Sequence, residues 1–424
     1  MRAPFIFREM HAWWLPFLTF MVLIAEQRVF AGDWPQILGP KRNGVAVGEK
    51  LADTWPASGP PLLWEAPIGS GYAGPAVAGN TVVMFHRRGD QERLTSRDVV
   101  TGNLIWQTEF DVSYRCNMND DSGPRCVPII HGKRVIAFGA GGNLYCVDLT
   151  TGKQKWTRDL YDDYQSDYGY FGAGSTPVVV GDRIVVNVGG SHQAGIVGLE
   201  VDHGKTIWSV TNEKASYSSP VPILLDGKQL VFVLTRLQLL LIDPKTGNIH
   251  DQVDFGKLGP TVNAAMPLVF DSHVFLTASY RIGALLAKCH NQKLQEVWRT
   301  DDAISSQYNS CIYTDGHIFG IHGREDTGIA HLRCIEGKTG NVRWNQSNFG
   351  VSHLILADNG ILALTADGEL IILDTDTRAY QERSRAQIFE QTTTRALPAL
   401  SNGRFFVRNN KVERSQMRVF QVGG

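Results

Sequence analysis

The feature that most constrains this chain is a nine-residue pattern that keeps returning. "DLTTGKQKW", Asp148 to Trp156, reads as an acid, two residues, Thr-Gly, and a Trp four residues after the Gly. The same spacing appears in "DVVTGNLIW" (Asp98, Gly102, Trp106), "EVDHGKTIW" (Glu200, Gly204, Trp208) and "EGKTGNVRW" (Glu336, Gly340, Trp344). Three further copies are eroded. "DPKTGNIHD" has Asp251 where Trp is expected, "CHNQKLQEVW" keeps only Trp298, and "DTDTRAYQE" keeps only Asp374. A unit this small cannot bury its apolar face alone, so the array decides the fold.

A second marker sets the phase. Short apolar strands, often entered through Pro, turn at Gly79, Gly132, Gly181, Gly227, Ser272, Gly316, Gly360 and Gly403, with separations of 53, 49, 46, 45, 44, 44 and 43 residues. That period holds four short strands and their turns, the size of a propeller blade. Within each unit β-branched and polar residues alternate at period two, as in Arg183-Ile184-Val185-Val186-Asn187-Val188, and helical periodicity is absent after the N-terminal segment. The expected fold is all-β: an eight-bladed propeller of four-stranded antiparallel blades over residues 60–424. The last copy lacks a Trp turn, and an orphan strand ending in Trp64 opens the array. Pairing the two chain ends in one blade would remove an open sheet edge.

In this frame the turn Gly sits where φ is positive and the acid accepts N–H groups of the turn. Trp64, Trp106, Trp156, Trp208, Trp298 and Trp344 are expected between neighbouring sheets, each indole N–H bonded to a loop.

The N-terminus differs from the array. Arg2 and Arg8 precede "AWWLPFLTFMVLIA", followed by "EQRVFAG" with Val29 and Ala31 where a signal peptidase reads. Residues 1–31 are therefore expected to be a signal peptide, cleaved before Gly32 with no lipid anchor because no Cys stands there, and residues 32–59 an N-terminal extension. The apolar run is short for a membrane-spanning helix, which needs about 20 residues. The expected location is periplasmic or secreted, with no stable membrane insertion after cleavage. With 41 basic and 42 acidic residues the chain carries no electrostatic footprint for nucleic acid. Export would place the six Cys in an oxidising compartment, and the local spacing of "CNMNDDSGPRC" makes Cys116 and Cys126 the candidate disulfide pair.

Chemistry is sparse. No His-x-x-x-His or Cys-x-x-Cys spacing supports a metal site, and "NMNDDSG" lacks the sixth-position Gly and closing Glu of a Ca²⁺ loop. "YDDYQSDYGYFG" (Tyr161 to Gly172) has a recognition-loop composition or is a polar blade connection with packed aromatics. Just before the first strand of successive blades stand Arg125, Ser175, Ser219, Asn263, Asn309, His353 and Arg395. First strands are innermost in a propeller, so these residues should gather at one mouth of the channel, either as a ligand-binding site or as strand caps that hold channel water.

The Asp-x-x-Thr-Gly-x-x-x-Trp turns, in an eight-blade count, resemble the pyrroloquinoline-quinone-like propeller repeat family over about Pro60 to the C-terminus. That family includes quinoprotein dehydrogenases and non-enzymatic exported propellers such as the outer-membrane β-barrel assembly propeller. The dehydrogenases hold their quinone with adjacent Cys, a Ca²⁺ site and an Asp base, and this chain has no adjacent Cys pair. The resemblance therefore implies a monomeric, non-enzymatic binding or assembly platform in the bacterial cell envelope, with no cofactor and with an envelope protein or small ligand as partner. The alternatives are a quinone-dependent oxidoreductase using PQQ with Ca²⁺, and a small-ligand or glycan-binding propeller.

Overall fold

The structure, a computed structural model, describes residues 1, 32–390, 393–412 and 414–423; apart from Met1, the expected signal peptide lies outside them. Eight antiparallel sheets follow one another around an axis. Blade 1 runs from Ala76 to Asp111, blade 2 from Ile129 to Asp159, blade 3 from Val178 to Val210 and blade 4 from Val221 to Asp254. Blade 5 covers Leu268–Thr300, blade 6 Ile312–Gln346 and blade 7 Ser352–Gln387. Blade 8 takes three strands from Ala399 to Gln421 and its outermost strand, Leu62–Pro67, from the other end of the array. Trp64 pairs with Val419 and Pro67 with Gln416, so the ring is closed by the chain ends, as the orphan strand predicts. Apolar residues of facing sheets form the core in the interfaces between blades.

The repeat pattern is a couplet shared by two blades. At Asp98 one carboxylate oxygen accepts from the N–H of Val100 and Thr101 and from the Thr101 hydroxyl, which shapes the turn. Gly204, at φ 68°, then lies flat against Trp156 of the preceding blade; a Cβ there would stand 2.7 Å from the indole. The Trp156 N–H donates to Val201 O at 3.0 Å. The same arrangement joins Trp64 to Gly102 with its N–H on Val99 O, Trp106 to Gly152 with its N–H on Leu149 O, and Trp208 to Gly247 with its N–H on Pro244 O. Trp344 donates to Asp376 O. Trp298 packs by Gly340, but its buried N–H has no partner among the described residues.

Erosion is paired too. Where Asp251 replaces Trp, the facing hairpin of blade 5 turns through Asn291 and Gln292, both at positive φ, without the Gly platform. The Asp251 carboxylate instead accepts from Leu294 N at 2.7 Å and meets Lys293 Nζ at 3.4 Å.

Two local expectations are corrected. A single helical turn, Leu160–Asp163, stands where no helix is expected; Asp159 caps it by accepting from Asp162 N, and Leu160 and Tyr161 are buried. Cys116 and Cys126 are separate thiols. Successive residues of the extended chain point opposite ways. The Arg125 guanidinium reaches back to the loop, 3.6 Å from Cys116 Sγ, while Cys126 turns inward against Ala173 O in the apolar contact of blades 2 and 3.

Residues 33–51 form a strap across one end of the central channel. Trp34 bridges Val77 of blade 1, and Pro35 O accepts from Ile130 N of blade 2. Val45–Ala46 adds a parallel strand to the inner edge of blade 7, the Glu49 carboxylate accepts from Asn402 and Gly403 N–H of blade 8, and Leu51 bridges Gly423. Ile37 and Leu38 fill the axis against Ala76, Val127, Val221 and Met266. Arg42, 1% exposed, donates to Thr176 O and Pro220 O at 3.3 and 2.6 Å and to Pro177 O. The channel therefore has a sealed floor and one mouth.

Candidate functional site

The seven mouth residues stand at the leading ends of the innermost strands, opposite the floor turns, and they divide by what their side chains do. Ser175 donates to Ser218 O at 2.8 Å, and Ser219 accepts from Thr176 N at 2.9 Å, so both stitch blade 3 to blade 4. Arg42 seals the carbonyls of Thr176 and Pro220 beside them. Asn263 donates to the carbonyls of Thr235, Arg236 and Phe255 and is wholly buried. These three are joints between blades.

Asn309, His353 and Arg395 form a circuit over blades 6, 7 and 8. Asn309 Nδ2 lies 3.3 Å from His353 Nδ1, and His353 Nε2 lies 2.8 Å from Arg395 O, so a neutral imidazole accepts from the first and donates to the second. Burial holds the His353 imidazole well below its ordinary value, at about 4, which fixes that neutral form. The Arg395 guanidinium then crosses to Glu325 Oε1 with Nε at 3.0 Å and Nη2 at 2.6 Å, and Tyr308 donates to Glu325 Oε2 at 2.8 Å.

Arg125 has a different surrounding. It lies 5.5 Å from the centre of the Tyr72 ring and 5.9 Å from that of Phe171, and donates to Gly123 O and Asp121 O at 2.8 and 3.0 Å. The Tyr72 phenol also feels the charge of the Arg395 side chain, while Arg125 lies over its ring. Desolvation raises the Tyr72 phenol, keeping it protonated as a donor. Phe171 lies 5.8 Å from Tyr217 and Tyr170 6.3 Å from Phe171, so the second half of the segment Tyr161 to Gly172 joins the rim. Tyr161 itself is buried against Phe138, 6.1 Å away.

Tyr72, Tyr308, Glu325 and Tyr217 are absent from the sequence-derived set, whereas Phe171 falls within the candidate segment Tyr161 to Gly172. Tyr72 was within reach: it stands three residues before Pro75, the offset of Arg125 before Pro128 and of Arg395 before Pro398. Glu325 comes from a hairpin between strands, where the strand-leading pattern gives no signal. Among the described residues no group of three or more His, Cys, Asp and Glu is arranged to hold a metal ion.

Fold, closure and the Trp–Gly couplets define a propeller of the pyrroloquinoline-quinone-like repeat class. The profile of the family described as outer membrane protein assembly factor BamB matches residues 90–346, more than half of the chain, and the chain belongs to that family. Among solved structures, BamB from Moraxella catarrhalis superposes with a TM-score of 0.62 at 18% identity, covering 85% of this chain and 97% of that one. A europium-containing methanol dehydrogenase superposes with a TM-score of 0.69 at 10% identity, covering 92% and 98%. The computationally designed Ika8 protein gives 0.57 at 13% identity, covering 86% and 100%. At such identities these likenesses speak for the fold alone. No curated protein sequence matches the chain.

Proposed function

We propose that this protein is an exported, non-enzymatic binding platform of the bacterial cell envelope, and that the channel mouth is its recognition face. The observation that carries this reading is the asymmetry of the axis. The strap seals the floor, while the mouth gathers half-exposed arginine and tyrosine side chains from blades that are distant in sequence. Convergent polar groups on aromatic walls in a concavity are what a binding site needs. The partner is an envelope protein, reached after removal of residues 1–31, and the platform works as a monomer. Among the described residues no helix is long and apolar enough to cross a membrane.

The mouth does not suit a quinone held with Ca²⁺. Its carboxylates are already engaged: Asp121 accepts from the N–H groups of Gly71 and Gly123, and Glu325 from Arg395 and Tyr308. The mature protein, incubated with pyrroloquinoline quinone and Ca²⁺, is expected to show neither dye-coupled oxidation of alcohols or aldoses nor stoichiometric quinone binding by calorimetry. Turnover, or one quinone per chain at micromolar affinity, overturns the platform reading.

A further inference from the structure

The two mouth arginines differ in one respect that points to a ligand. Arg395 has its carboxylate, Glu325, on two nitrogens. Arg125 has none: among the described residues its partners are the carbonyls of Gly123 and Asp121 and the Cys116 sulfur. Behind it Arg408, wholly buried, donates to Gly69 O at 2.8 Å and leaves Nη1 without a partner among the described residues. The carboxylates that act on these cations are Asp121, on Arg408, and buried Glu92, on Arg125; Asp121 accepts from Gly71 and Gly123 N–H, and Glu92 from Ala140 N–H and the Tyr145 hydroxyl. Counted over Arg87, Arg125, Arg395 and Arg408 against Glu92, Asp121 and Glu325, the cup holds one positive charge in excess, and more when Glu92, pushed up to about 7 by burial, is protonated. Low-dielectric aromatic walls make an unbalanced cation there more attractive to an anion than the same charge on an open surface.

We propose that the cup around Arg125 receives a single carboxylate, an aspartate or glutamate side chain on an extended segment of the partner protein. This deepens the reading of the mouth as recognition face and rests on it. The excess of one charge suits a monoanion. The walls suit a side chain on a flexible stem better than a sugar ring: Phe171 is tilted 59° to Tyr217, and Tyr170 is tilted 52° to Phe171, so the rim offers ring edges and corners instead of a flat stacking platform. The guanidinium is held by the two carbonyls and two rings, and little side-chain entropy remains to be lost when a carboxylate docks. The Tyr72 phenol adds a protonated donor beside it.

The test uses the mature protein and three probes in fluorescence anisotropy: a labelled Ser-Gly-Glu-Glu-Gly-Ser amide, its Gln-Gln counterpart, and labelled tetragalacturonic acid. The acidic peptide is expected to bind at least about tenfold more tightly than the Gln peptide, the scale of one charge-assisted contact. Arg125→Gln should remove that preference, Arg125→Lys should keep part of it, and Arg115→Gln, which alters an exposed arginine paired with Asp90, should leave it unchanged. Circular dichroism melts check that each variant is folded. Equal binding of both peptides, full binding by folded Arg125→Gln, or binding of tetragalacturonate alone overturns the proposal. If the Arg125 variants keep the envelope partner while other mouth substitutions lose it, the cup assignment fails and the platform reading stands.

Discussion

Two arginines of the channel, one rising from the strap and one on the open rim, put the same side chain to opposite uses. Arg42 rises along the axis from the strap to the carbonyls beside Ser175 and Ser219, where it is sealed, its donors spent on blades 3 and 4 and on Gln36. At the mouth, Arg125 is half-buried and held by its own loop without a carboxylate bonded to it among the described residues. A buried cation fully spent on backbone is a structural joint, and burial draws the Arg42 guanidinium down to about 9. A rim cation fixed in direction but left unpaired is available for recognition. The contrast lies in the surroundings, since both residues are arginines a few residues from a proline or glycine in the sequence.

The comparison can be broken most forcefully at the floor. Starting the protein at Ala52, without the strap, strips cover from the inner strands and loses the burial of Trp34, Ile37, Leu38, Ala46 and Leu51, each worth about 1.5–3 kcal/mol for the larger side chains. The melting temperature is expected to fall by more than about 10 °C. An unchanged melt would mean that the strap is ornamental. Next in size is Arg42→Met, which strands three buried carbonyls; calorimetric unfolding should show a loss of about 2–4 kcal/mol.

His353 tests the rim through pH. Its folded value is about 4 against 6.5 when unfolded, so the unfolded chain takes up the proton first. Stability tied to the neutral ring is present above pH 6.5 and drains away as the pH falls towards 4. His353→Gln should flatten that acid limb of the stability curve. The smallest effect on stability belongs to Arg125→Gln, about 1 kcal/mol in a urea melt from the lost carbonyl and ring contacts, although its effect on binding is the largest at the mouth.

Much of this molecule could be read before its structure was seen, and the reason is physical. Blade number, closure at Trp64 and the Trp–Gly couplets rest on local chemistry that recurs: a positive-φ turn, an acid that bonds it, and an indole that needs a flat neighbour. Asp251 shows the limit of that reading. The missing Trp was visible, yet its facing hairpin at Asn291 and Gln292 is a partner only in space. The strap was illegible for the same reason, because residues 32–59 have no period and Arg42 meets carbonyls more than a hundred positions away. At the mouth, the position of the strand-leading residues was predictable from topology. Whether each would be spent, as Ser175, Ser219 and Asn263 are, depended on neighbours contributed by other blades. The proposed Cys116–Cys126 pairing failed on side-chain direction, which spacing does not encode.

The claim that the mouth recognises and the floor supports can be tested by site-specific photo-crosslinking in the living envelope. A benzophenone side chain would replace Tyr170 at the rim, 40% exposed, and in a second strain Lys133, an exposed residue on the floor hairpin of blade 2. Illumination is expected to give a discrete adduct with one envelope protein from position 170, lost when Arg125→Gln is added, and none from position 133. An adduct from position 133 with none from position 170 would contradict the account and turn the molecule over, making the strap side the working face.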